Sequence, residues 1–211
     1  MRNRISWSIT ITVLAAVLCS WVAVAGTPVI MVLGDSLSAA YGISVDQGWV
    51  KQLQSRLRAE GAPHEVVNAS VSGETTAGGR ARLADLIERH RPAIVLVELG
   101  GNDGLRGLPL AEIRGNLAQI IAVSQAAGAK VLLLPMRIPP NYGLAYVRGF
   151  EAIYAELSEE YALPEAQFIL DGVTERPFMM QEDRIHPRAE AQGLMLNNIW
   201  PALSALLAET S

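Results

Sequence analysis

Short, almost wholly apolar runs alternate with helix-patterned stretches along this chain, and that alternation restricts its fold more than any other feature. Ala93 to Leu99 (AIVLVEL) and Pro28 to Leu33 carry β-branched and aliphatic residues at nearly every position. A strand with one wet face alternates apolar and polar residues; a strand covered on both faces reads as a continuous apolar run. Between such runs the spacing becomes helical, as in 47–59, where Trp49, Val50, Leu53 and Leu57 share one face. The pattern predicts strands at 28–34, 65–69, 93–99, 130–136 and 167–170. Helices are predicted at 47–59, 79–91, 110–128, 146–161 and 188–208. This order implies an α/β fold: a mainly parallel five-stranded sheet between two helical layers, a three-layer α/β/α sandwich.

The 211 residues suit one domain, taken as 26–211, and 50% hydrophobic against 18% charged residues fits a packed core. A formal net charge of −4 leaves no basic footprint for nucleic acid. The expected partner is a small molecule, with the chain a monomer.

The first 25 residues read separately. Arg2 and Arg4 precede an uncharged apolar stretch, 5–25, which ends in Ala23-Val24-Ala25, a small-x-small pattern. This predicts an export signal cut at Ala25/Gly26, giving a periplasmic or secreted domain with no stable membrane insertion. The competing reading is an uncleaved anchor, since about 20 apolar residues span a bilayer. Cys19, the one cysteine, lies inside this segment, so the mature domain has no thiol. The bulky Leu18 beside Cys19 argues against lipid attachment there.

Four segments carry candidate chemistry. Gly34-Asp35-Ser36-Leu37-Ser38 places a hydroxyl just past a strand's carboxyl end, where open α/β sheets hold ligands. A serine hydroxyl needs a base before it is an effective nucleophile. Of three histidines, His90 sits in a charged helix end and His64 opens a strand, which leaves His186, just before Pro187 and a helix. Glu182 and Asp183 compete to orient its ring. The i to i+3 spacing favours Asp183, although an Asp there also suits a turn or a helix cap. Oxyanion donors are offered by the Ser36 N–H, by Gly73 in Asn68–Gly73 (NASVSG) and by the Asn102 amide in Gly100–Gly104 (GGNDG). Taken singly, Asn and Gly are ordinary turn residues.

Together and in this order, GDSLS, NASVSG, ELGGNDGLRG and DRIHP resemble the SGNH (GDSL-type) hydrolase superfamily. Within it they are most similar to its branch of bacterial periplasmic thioesterases, lysophospholipases and arylesterases. The resemblance spans Pro28 to near the C-terminus and includes the string IPPNYG. It implies a flavodoxin-like fold and hydrolysis of acyl esters or thioesters, with no metal or organic cofactor. It also implies Ser36 as nucleophile, Gly73 and Asn102 as oxyanion donors, and Asp183 with His186 as the rest of a triad. The loop with Gly104, Leu105, Arg106 and Leu108, together with Ile138 and Tyr142, is then expected to contact the acyl chain. Arg184 departs from the pattern, which often has glycine there; a cation at that point bears on substrate preference.

Two other functions use the same scaffold: a carbohydrate O-deacetylase with a more polar pocket, and a binding module that has lost catalysis. The intact set of five residues argues against the second, and the apolar loops argue against the first. No G-x-x-x-x-G-K-[ST], H-E-x-x-H or G-x-S-x-G occurs.

Overall fold

A computed structural model of the chain describes residues 26–208. The export signal, its Ala25/Gly26 cut and Cys19 lie outside the described residues. The strands are β1 (Val29–Gly34), β2 (Glu65–Asn68), β3 (Ile94–Glu98) and β4 (Lys130–Leu133). The helices are α1 (Trp49–Ala59), α2 (Thr76–His90), α3 (Gly101–Leu105), α4 (Leu110–Ala126), α5 (Leu144–Glu160) and α6 (Gln192–Ala208).

All pairings are parallel, in the order β2-β1-β3-β4. Ile30 to Leu33 of β1 and Ile94 to Val97 of β3 have no exposed surface, because helices cover both faces. α1 packs with α6, while α2, α4 and α5 pack in succession, giving the two outer layers. The buried face of α1 is Trp49, Val50, Leu53 and Leu57, as the spacing predicts. Its first backbone N–H, an orphan at any helix start, donates to Gln192 Oε1 of α6 at 3.0 Å. No helix among the described residues is long and apolar enough to cross a membrane.

The fifth strand does not form. Phe168, Ile169 and Leu170 are buried but run through turns and join no ladder of the sheet. The Ile169 and Asp171 carbonyls accept instead from the Asn198 amide of α6, at 3.0 and 2.9 Å. A side chain has taken the acceptors that a ladder would use, and the burial that suggested a strand is kept without one.

Strand order reverses between β1 and β3, since β2 lies on one side of β1 and β3 on the other. The crevice past the carboxyl ends of those strands is where this class of sheet binds ligands. The turn after β1, the β2–α2 loop and the β3–α3 junction all open there.

Candidate active site

Ser36 begins a tight turn after β1, closed by Ala39 N–H to the Asp35 carbonyl at 2.9 Å and Tyr41 N–H to the Ser36 carbonyl at 3.1 Å. The Asp35 carboxylate caps it, accepting from Leu37 N–H at 3.0 Å. Gly34 is required by crowding: a Cβ there would lie 2.8 Å from both Glu98 Oε2 and Ser38 Oγ.

His186 reaches Ser36 from 150 residues away, its Nε2 lying 2.9 Å from Ser36 Oγ. Its loop is pinned by an antiparallel bridge between Met180 and Pro187 and by Gln181 N–H to the His186 carbonyl at 2.7 Å. Gln181 Nε2 also donates to the Tyr41 carbonyl at 2.8 Å, joining this loop to the serine turn. The Tyr41 ring lies 4.5 Å from the imidazole, centroid to centroid.

Asp183 Oδ2 lies 2.6 Å from His186 Nδ1, and Oδ1 accepts from the Ile185 and His186 backbone N–H groups at 2.9 and 3.0 Å. Partial burial pushes this carboxyl up, but the His186 N–H, the His186 ring and the Ile185 N–H outweigh it and hold it at about 2. Asp183 therefore stays ionised wherever an imidazole titrates. With a folded value below the ordinary one, it stabilises the fold above about pH 4, and that contribution fades as pH falls toward about 2. The turn-cap role foreseen for an Asp here is real and coexists with the contact to the ring.

Of the residues expected to donate to an oxyanion, Asn102 is hydrogen-bonded to Asp35, next to Ser36 in the chain. Among the described residues, neither the Ser36 nor the Gly73 backbone N–H meets a protein acceptor. Gly73 is glycine for a reason other than close approach. A Cβ there meets nothing within 4 Å, but its φ of +79° is left-handed backbone that glycine alone adopts freely. Asn102 sits in α3, and its Nδ2 donates to Asp35 Oδ2 and to the Glu74 carbonyl, both at 2.9 Å. The amide thus ties the serine turn to the Gly73 loop. α3 is anchored in turn by buried Asp103, which accepts from Thr76 N–H at 2.9 Å.

Several of the expected acyl-contact residues meet one another or the Gly73 loop. Tyr142 Oη donates to the Leu105 carbonyl at 2.8 Å, and Arg106 Nη2 donates to the Gly73 carbonyl at 3.1 Å. Leu105, Leu108 and Tyr142 are half-buried and Arg106 is exposed. Ile138 is only 6% exposed and packs with Phe150 where a Cβ on Gly104 would stand. Ile138 and Gly104 are both buried. A groove of about 650 Å³ lies elsewhere, between Met136–Arg137, α5 and the 163–171 segment.

Arg184 has φ +57°, which explains why glycine suits this position; an arginine in left-handed backbone costs about 1 kcal/mol. His64 is buried, and among the described residues neither of its ring nitrogens has a hydrogen-bond partner. His90 closes α2. Sequence reasoning overlooked Tyr41, Asp35 and Glu98. Glu98 was detectable as the single acid in an otherwise apolar strand. Among the described residues no three His, Cys, Asp or Glu side chains cluster as metal ligands do.

Residues 32–194 match the GDSL-like lipase/acylhydrolase family. The chain is 48% identical over 194 residues to esterase TesA of Pseudomonas aeruginosa, covering 92% of this chain and 96% of that one. It is 43% identical over 168 residues to thioesterase 1/protease 1/lysophospholipase L1 of Escherichia coli, covering 80% and 79%. The psychrotrophic esterase EstA from Pseudoalteromonas sp., solved inhibited by monoethylphosphonate, matches with a TM-score of 0.82 at 39% identity, covering 85% and 98%.

Proposed function

The chain belongs to the GDSL-like lipase/acylhydrolase family, and from that premise we propose that it hydrolyses carboxylic esters and thioesters of acyl chains through Ser36. One observation carries this: the unbroken line of hydrogen bonds from Ser36 Oγ through the His186 ring to Asp183. With Nδ1–H held by Asp183, Nε2 is the free base. It takes the Ser36 proton as Oγ attacks the acyl carbon. The carbonyl oxygen becomes an oxyanion, which the Ser36 and Gly73 N–H groups and the Asn102 amide stabilise. His186 then protonates the departing alcohol or thiol, leaving an acyl-enzyme on Ser36. Water, activated by the same nitrogen, hydrolyses that ester and restores the hydroxyl.

Asn102→Ala is expected to lower kcat by about 10²–10³. KM should change little, because the contact strengthens only in the transition state. A folded Asn102→Ala enzyme with normal kcat would leave Asn102 a turn residue.

The half-buried side chains of Leu105, Leu108 and Tyr142 support an apolar acyl site, with Arg106 exposed beside Leu105. Each buried methylene contributes about 0.8 kcal/mol, so two further carbons should raise kcat/KM about tenfold until the site is filled. Aryl esters of rising chain length, acyl-CoAs, lysophospholipids and acetylated sugars, assayed side by side, test this. Preference for an acetylated sugar over every longer acyl chain would replace it with O-deacetylation.

We further propose that residues 1–25 are a cleaved export signal. The basic start, the apolar stretch and Ala23-Val24-Ala25 support it. Sequencing the N-terminus of the exported protein should begin at Gly26; a membrane-bound chain retaining Arg2 would mean an anchor.

A further inference from the structure

Two buried acids stand behind Ser36, and the steps above use neither. Glu98 ends β3 with no exposed surface, and Asp35 is 3% exposed. Their carboxyl groups adjoin in the interior, and two adjoining carboxyls can bond each other only by holding a proton between them. Glu98 Oε2 already accepts from Ser38 Oγ at 2.7 Å and from Asp35 N–H at 3.2 Å. Its Oε1 is buried with no hydrogen-bond partner among the described residues, so Oε1 is the oxygen left to carry a proton. Burial pushes both carboxyls up, and in Glu98 the neighbouring Asp35 charge adds to it. Other groups face the pair. His186 faces Asp35, and Tyr154 of α5 faces Asp35, Glu98 and Asp103.

We propose that Glu98 is a positioning residue for the hydrolysis: it donates a proton-bearing hydrogen bond to Asp35, and Asp35 in turn orients the Asn102 amide beside Ser36. This rests on Asn102 being an oxyanion donor. Both N–H bonds of that amide are engaged at rest, one by Asp35 Oδ2 and one by the Glu74 carbonyl. An N–H must therefore be shared with the oxyanion as it develops. The Glu98 proton makes that possible in two ways. It draws charge from Asp35, which weakens its hold on the amide. It also keeps the buried pair at one negative charge rather than two beside a forming anion.

Glu98→Gln, Glu98→Met and Asn102→Ala, each compared with wild type, test this. The Gln amide can donate to Asp35 while its oxygen accepts from Ser38 and the Asp35 N–H. Glu98→Gln should keep kcat within about threefold, and Glu98→Met should lower kcat about tenfold or more with KM little changed. Glu98→Gln exchanges one neutral group for another, so the acid limb of kcat/KM should not move. The infrared difference spectrum, wild type minus Glu98→Gln at neutral pH, should contain the C=O stretch of a buried protonated carboxyl.

A missing band, or a displaced acid limb in Glu98→Gln, would mean that Glu98 is ionised and would overturn the inference. Wild-type kcat in Glu98→Met would overturn it as well. If Glu98→Met does not fold, the band and the limb in the isosteric variant decide alone. Slow Asn102→Ala with normal Glu98→Met removes only the positioning role; normal Asn102→Ala removes the oxyanion role on which it stands.

Discussion

Ser36→Ala is expected to lower kcat by roughly 10⁵-fold or more while the protein remains folded. Ser36 is half-buried in a turn closed by backbone hydrogen bonds and by the Asp35 cap, none of which uses Oγ. Losing the hydroxyl should leave thermal unfolding close to wild type and substrate binding within a few-fold. What disappears is the acyl-enzyme route, because His186 Nε2 then has no hydroxyl to deprotonate. Residual turnover should come from the Ser36-position and Gly73 N–H groups and Asn102 acting on water attack. Steady-state kinetics on an aryl ester, with thermal melts as the folding control, measures this. A variant with a substantial fraction of wild-type kcat would rule Ser36 out as nucleophile.

Asp183→Asn should be nearly as severe, lowering kcat about 10³–10⁴-fold with little change in KM. Two backbone N–H donors converge on Asp183 Oδ1. They will keep the amide oxygen of Asn on their side, which turns its NH₂ toward His186 Nδ1. A donor facing Nδ1 selects the tautomer that carries its proton on Nε2, and such an imidazole cannot accept from Ser36 Oγ. Groups that act as a unit are strongly non-additive. Ser36→Ala with Asp183→Asn should therefore be no slower than Ser36→Ala alone. Multiplying losses in the double variant would mean that the two residues work in separate steps.

The apolar runs at β1 and β3 and the stripe Trp49, Val50, Leu53, Leu57 were legible because burial on a parallel sheet imposes a simple pattern. The segment 167–170 carries the same apolar signal without the ladder, and sequence does not reveal that Asn198 takes its carbonyls. α3 is five residues long and glycine-flanked, too short for helical periodicity to show that Asn102 rides on a helix. Ile138 reads as a pocket residue by position and proves to be packing, since apolar side chains that line a site and those that support it look alike. The five candidate residues could be named from sequence because each proposed role asks for a particular side chain or backbone freedom. Asp35 carried no such signal, and Glu98 showed only as an acid in an apolar strand, because it is the fold that brings the end of β3 beside the residue that follows β1.

The most direct measurement is mass spectrometry of the purified protein after reaction with a fluorophosphonate, which traps an activated serine as a covalent phosphonyl ester. The expected result is one adduct per chain, mapped to the peptide containing Ser36, abolished in Ser36→Ala and strongly slowed in Asp183→Asn. An adduct on another residue, or labelling that persists in Ser36→Ala, would contradict Ser36 as the nucleophile of this fold.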